Sequence, residues 1–208
     1  TALMTLAVWW VWIYTAWVTN WLDPDKLPVR LALLALMLPG LILSASLPQA
    51  FGARALWFAG AYVVMPLGRT CFFLWAVAGH PALVSTFQRI LVWLSVSGVI
   101  WIAGGFAAGP MRMGLWMLAL GIECIGPSAG FAVPGLGRSS TRDWDVDGSH
   151  MAERCSLFVI IALGESILVT GATFAKLAWS PVVVAALLGS LVGSIAMWWI
   201  YFNIGAER

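Results

Sequence analysis

Long apolar runs separated by short polar links set the pattern of this chain. Seven runs reach the ~20 mostly apolar residues that a helix needs to cross a bilayer. They are Thr1–Leu22, Leu31–Phe51, Ala55–Ala78, Ile90–Ala108, Met113–Val133, Ala152–Trp179 and Pro181–Ile204. Only one link, 134–151, is long. The backbone polar groups of such runs are satisfied inside a bilayer only when they fold as helices or close into a barrel. The pattern therefore predicts an all-α, polytopic transmembrane helix bundle of about seven membrane-spanning helices. Residues 1–208 form a single domain in this reading, with 134–151 as a loop within it.

Breaks in the runs add detail. Leu38-Pro39-Gly40, Pro66-Leu67-Gly68 and Gly126-Pro127 each put a proline inside an apolar stretch, where it removes an amide donor and favours a kink. Ordinary kinks are common in membrane helices, but transporter sites are often built on such interruptions. In the last run Ala185, Gly189 and Gly193 recur every fourth residue, a packing pattern that lets another helix approach. Trp21, Trp57, Trp144 and Trp179 fall near the predicted membrane edges, where indole rings settle. Trp9, Trp10, Trp12 and Trp17 crowd the first run more deeply, and are read as bundle packing before a ligand wall.

Composition agrees with a membrane setting. Hydrophobic residues make up 62% of the chain and charged residues 10%, against roughly a quarter charged in an ordinary soluble domain. A net charge of +2 offers no nucleic-acid surface. Cys71, Cys124 and Cys155 are odd in number and lack CxxC spacing, so neither a disulfide framework nor a zinc site is expected. Lysine and arginine collect on the cytoplasmic side of membrane proteins. Lys26, Arg30, Arg89, Arg138, Arg142, Arg154 and Arg208 fall on one side of the alternating path, and Arg54, Arg112 and Lys176 on the other. That asymmetry makes 134–151 a cytoplasmic loop.

Three ionisable residues remain well inside runs: Arg69, Glu123 and Glu165. Each costs roughly 2.5–3.5 kcal/mol at the centre of a lone helix, which the surrounding apolar residues offset. Arginine does not lose its proton, so Arg69 needs an anionic partner or water. Pairing with either acid leaves the other over, and burial favours its protonated form. The stretch from Ser149 to Gly171 carries the densest polar pattern. As a helix it places Arg154 and Glu165 within ~20° of each other and ~16 Å apart along the axis. His150 lies one turn before Arg154. His150, Glu153 and Arg154 are thus read as a cytoplasmic gate, and Ser166, Thr170 and Thr173 as a polar stripe beside Glu165.

The blocks FAVPGLGRSSTRDWDVDGSHMAER and SLFVIIALGESILVTGATFA resemble the bacterial low temperature requirement A (LtrA) family of multi-pass membrane proteins. WWVWIYTAWVTNWLDPD, GRTCFFLWA and MWWIYFNIGAER extend the likeness over nearly the whole chain. The resemblance implies a bacterial inner-membrane location and a longer parent protein, of which this is a fragment lacking the first helix and the C-terminal part. Asn203 stands where family members often carry an acid. The family supplies no established activity.

Asp143-Trp-Asp145-Val-Asp147-Gly148 resembles the start of a calcium loop, but its twelfth position holds Arg154 where a bidentate Glu belongs. Asp147 or Ser149 is read instead as capping the following helix. No metal, cofactor or catalytic residue set is expected. The expected partners are the lipid bilayer and a small solute, ion or lipid. The leading reading is a secondary transporter or proton/ion-coupled membrane protein. Its rivals are a membrane enzyme using His150 and Glu153 on a lipid or lipid-linked substrate, and a non-catalytic scaffold in cold adaptation.

Overall fold

A computed structural model describes residues 2–23, 25–139 and 148–205, with the backbone alone at His150, Ile204 and Gly205. The described chain is helical throughout: α1 (Ala2–Val18), α2 (Leu27–Ser46), α3 (Ala55–Ala76), α4 (Pro81–Phe106), α5 (Gly109–Ser128), α6 (Gly148–Phe174) and α7 (Pro181–Trp199). A 3-10 turn, Leu47–Gln49, extends α2, and a π-helical turn, Ile200–Gly205, extends α7. No strand occurs among the described residues beyond one isolated bridge, Val133 to Gly137.

Among the described residues five helices are long and apolar enough to cross a membrane, two fewer than the apolar runs predict. They cover Leu27–Gln49, Ala55–Ala76, Pro81–Phe106, Met151–Phe174 and Pro181–Asn203. α1 stops at Val18, after 17 residues, because the chain leaves the helix in a turn at Thr19–Leu22. α5 has 20 residues, but Arg112 and Glu123 lower its average apolarity.

Proline placement explains several boundaries. Pro81 stands in the first turn of α4, where its missing N–H and fixed φ suit a helix start. The helix thus begins nine residues before the apolar run at Ile90. Pro39 and Pro66 lie inside α2 and α3. Pro127 sits in the last turn of α5, which then closes through Ala129 N–H to Ile125 O (2.9 Å) and Phe131 N–H to Gly126 O (2.8 Å). Gly130 follows at φ 60°, where a Cβ would meet Ser139 O at 2.6 Å, so this turn requires glycine. α6 begins at Gly148, which puts Ser149 inside the helix. Asp143, Trp144, Asp145 and Asp147 lie outside the described residues.

The chain divides into two compact units, Thr1–Val146 and Asp147–Arg208. In the first, α3 packs against α1, α2 and α4, and α5 packs on α4. Its interior has two apolar clusters. One gathers Phe58, Tyr62, Trp101 and Trp116, and the other Tyr14, Phe73, Phe87 and Phe131. Gly104 makes the first cluster possible, since a Cβ there would stand 2.4 Å from the Trp116 indole. The second unit is the hairpin of α6 and α7. Trp57 and Trp179 are largely exposed, as edge positions require, whereas Trp101 and Trp116 are wholly buried.

Candidate functional site

The polar centre of the first unit is strung along α3. Phe58, Tyr62, Arg69 and Phe73 are all buried on that helix. Tyr62 and Arg69, seven residues apart, are two turns apart and therefore ~10.5 Å apart along the axis. Each end of this stretch holds one of the expected charges.

At the Tyr62 end lies Glu123 of α5, buried under three donors. The Tyr62 hydroxyl donates to Oε2 at 2.7 Å, and the Trp101 indole N–H donates to Oε1 at 3.0 Å. The Ser97 hydroxyl donates to Oε1 as well. Ser97 and Trp101 are one turn apart on α4, so a single helix face delivers both. Trp116 N–H in turn holds the Trp101 carbonyl at 3.0 Å. The rings close around the carboxylate, with Tyr62 and Trp101 centroids 4.3 Å apart and Trp101 and Trp116 5.4 Å apart. Chemically, this arrangement accepts either protonation state. Ser97 and Tyr62 hydroxyls both donate and accept, so a protonated carboxyl can return a bond to one of them while Trp101 continues to donate.

At the other end Arg69 meets α1. Its Nη1 donates to Thr15 Oγ1 at 2.8 Å and to Val11 O at 3.3 Å. Thr15 Oγ1 itself donates to Val11 O at 2.7 Å, which leaves the hydroxyl oxygen facing the cation. The Tyr14 ring lies 5.8 Å from Cζ. All these partners are neutral. Nε is buried without a partner, and so is the hydroxyl of the next residue, Thr70.

A direct Arg69–Glu123 pair, which the sequence reading allowed, is not formed. Among the described residues the ion pair is Arg30 with Asp25, at 2.7 Å on the surface. Arg69 and Glu123 act on each other only through space. The two-turn offset along α3 accounts for this: Tyr62, not Arg69, stands level with the carboxylate.

Two other arginines are buried without an acid partner among the described residues; both tie links through their terminal nitrogens, although Arg89 Nε has no partner. Arg112 donates from Nε and Nη2 to Ala107 O (3.0 and 2.6 Å) and from Nε to Gly104 O (3.3 Å). Its Nη1 reaches Phe51 O and Gly52 O, the latter at 3.3 Å. It therefore ties the α2–α3 link to the end of α4. Arg89 holds the turn after α5 through Leu136 O and Ser139 Oγ, both at 2.9 Å.

Glu165, Ser166, Thr170, Thr173, Glu153 and Arg154 all lie on α6 in the second unit. Glu165, Glu153 and Arg154 are exposed there. Ser166 and Thr173 turn their hydroxyls back to Ala162 O and Val169 O, both at 2.8 Å, and Thr170 lies 3.5 Å from Ser190 of α7. The His150 side chain lies outside the described atoms. No group of three metal-ligating side chains occurs among the described residues.

The sequence reading named Glu123 and Arg69 but missed their partners Tyr62, Ser97, Trp101 and Thr15. The available signal was helical spacing: Ser97 and Trp101 four apart, Tyr62 and Arg69 seven apart, each with a polar tip inside an apolar run.

Comparison with known proteins adds a family. The description "Bacterial low temperature requirement A protein (LtrA)" matches over residues 1–208. An uncharacterized protein of Rhizobium meliloti (strain 1021) is 45% identical over 210 residues, covering 99% of this chain and 51% of that protein. The chain thus spans about half the length of the curated relative it matches. No solved structure matches.

Proposed function

We propose, for a chain that belongs to the bacterial low temperature requirement A family, that it is part of a secondary transporter or proton-coupled membrane protein of the bacterial inner membrane, with Glu123 as the group that takes up and releases the proton. The observation that carries this reading is the carboxyl group buried between α3, α4 and α5 and bonded to two hydroxyls that suit either protonation state. Ionisable residues at membrane depth generally mark a substrate or proton path. Tyr14, Tyr62, Arg69 and Cys124 are the titratable and charged groups that act on Glu123 or its donors. Arg69 contributes the anion contact in this reading; on α6, taken by itself, Glu165 is a second acid with Ser166, Thr170 and Thr173 as a polar stripe beside it. His150, Glu153 and Arg154 form the cytoplasmic gate.

The test uses full-length protein in proteoliposomes that enclose a pH indicator, challenged with a panel of small organic and inorganic ions. Coupled flux appears as an internal pH change, and Glu123→Gln abolishes it while the protein remains folded. Unchanged flux in the variant removes Glu123 from the mechanism.

A scaffold role is the second reading, and the closed aromatic packing around Glu123 favours it. In that case Glu123→Gln lowers thermal stability and no member of the panel moves protons through the wild-type protein.

A further inference from the structure

We infer that Arg69 is a binding site for a monocarboxylate, held by the Nε and Nη2 edge of its guanidinium. The inference rests on the transport reading and names the substrate class for the same polar centre.

A guanidinium has two faces for oxygen acceptors. The edge formed by Nε and Nη2 presents two parallel N–H donors, a geometry that matches both oxygens of one carboxylate. Among the described residues every hydrogen bond from Arg69 leaves from Nη1, toward Val11 O and Thr15 Oγ1. Nε is buried with no partner, and the Thr70 hydroxyl beside it in sequence is wholly buried with none either. Leaving a buried donor unmet costs the full desolvation of that group, about 1–3 kcal/mol and more for a charged one. The other two buried arginines of this unit, Arg89 and Arg112, use both terminal nitrogens on carbonyls and hydroxyls. Arg89 also buries an unpartnered Nε, but its Nη2 is bonded to Thr86 and Ser139; in Arg69 neither nitrogen of that edge carries a bond.

Charge gives the same answer. Arg69 carries one positive charge, its contacts are neutral, and Glu123 acts on it only from a distance. A singly charged anion balances that cation, whereas a dianion adds a second negative charge near Glu123.

Space sets the terms of access. Arg69, Thr15, Thr19, Leu36 and Phe72 border a narrow cavity of about 10 Å³ whose exposed surface is apolar, room for roughly one water. A carboxylate therefore enters only when α2 moves aside, and α2 is held chiefly by α3. A larger open groove of about 330 Å³ runs alongside, lined by Val11 and Thr15 together with Gly40, Leu43 and Met65. The two sources of the carboxylate are thus a free short-chain acid in the narrow cavity and a fatty acid whose tail lies in the groove.

The experiment is ligand binding to the purified full-length protein in nanodiscs, read by thermal shift and calorimetry. Acetate and butyrate probe the free acid, decanoate probes the amphiphile, and chloride and butyramide are controls. The expected result is saturable binding of one carboxylate class and of neither control. Arg69→Lys keeps the charge but loses the fork, and it weakens that binding at least tenfold. Thr70→Val weakens it about threefold. Binding of the short acids alone assigns a solute site, and binding of decanoate alone assigns an amphiphile site. No carboxylate binding, equal binding of chloride, or unchanged affinity in both variants overturns the inference. Proton flux that depends on Glu123, driven by some other solute, would then leave the transport reading standing without it.

Discussion

The two ends of the Tyr62–Arg69 stretch of α3 hold opposite charges and treat them differently. At the Tyr62 end three donors converge on Glu123, and four aromatic rings pack the space around them. At the Arg69 end a permanent cation receives neutral oxygens on one nitrogen, while Nε and the neighbouring Thr70 hydroxyl go without. A carboxyl group met by three donors is held in one place between α3, α4 and α5, where its hydroxyl partners suit it with or without a proton. A cation with donors to spare is prepared for something else. The contrast is one of hydrogen-bond satisfaction, since both side chains are about equally buried.

That contrast can be broken most forcefully at Trp101. Replacing Trp101 by Ala removes a wholly buried ring and a donor to the carboxylate, and the loss is about 3–5 kcal/mol of stability. Unfolding of the full-length protein in mixed micelles, followed by helix content, measures it. Ser97→Ala deletes only a hydroxyl, but one bonded to Glu123, so about 1.5–3 kcal/mol is lost in the same assay. Gly104→Ala drives a methyl into the Trp116 indole and costs about 1–3 kcal/mol through overpacking; a shift in tryptophan emission should accompany the drop. Thr70→Val is the smallest and the most telling. It also removes a buried hydroxyl, yet that hydroxyl has no partner, so stability changes by no more than about 0.5 kcal/mol or rises. Equal losses for Ser97→Ala and Thr70→Val would erase the distinction between the two ends.

Much of the architecture was legible before any coordinates. The apolar runs gave the helices, and Pro81 and Pro127 mark helix ends by chemistry that is local. Where the runs misled, the cause was specific. The first run counts Thr19–Leu22, which turn away from the helix, and the fifth carries Arg112 and Glu123, which make α5 less apolar than its length suggests. For the candidate site, the sequence pointed to Arg69, Glu123 and Glu165 and left open which of the two acids pairs with Arg69. Tyr62 occupies the level at which Arg69 would have met Glu123.

By itself, the sequence determined that this is a helical membrane protein of the low temperature requirement A family with few charges at depth. Helix length, apolar content and the cost of a buried charge all belong to single segments, so a linear reading captures them. Tertiary structure alone decided who satisfies each charge. The donors to Glu123 come from 22 to 61 residues away, and those acceptors of Arg69 from 54 to 58. Membrane helices are apolar on every side, since lipid and core are equally apolar, and so they carry no stripe to say which face turns inward.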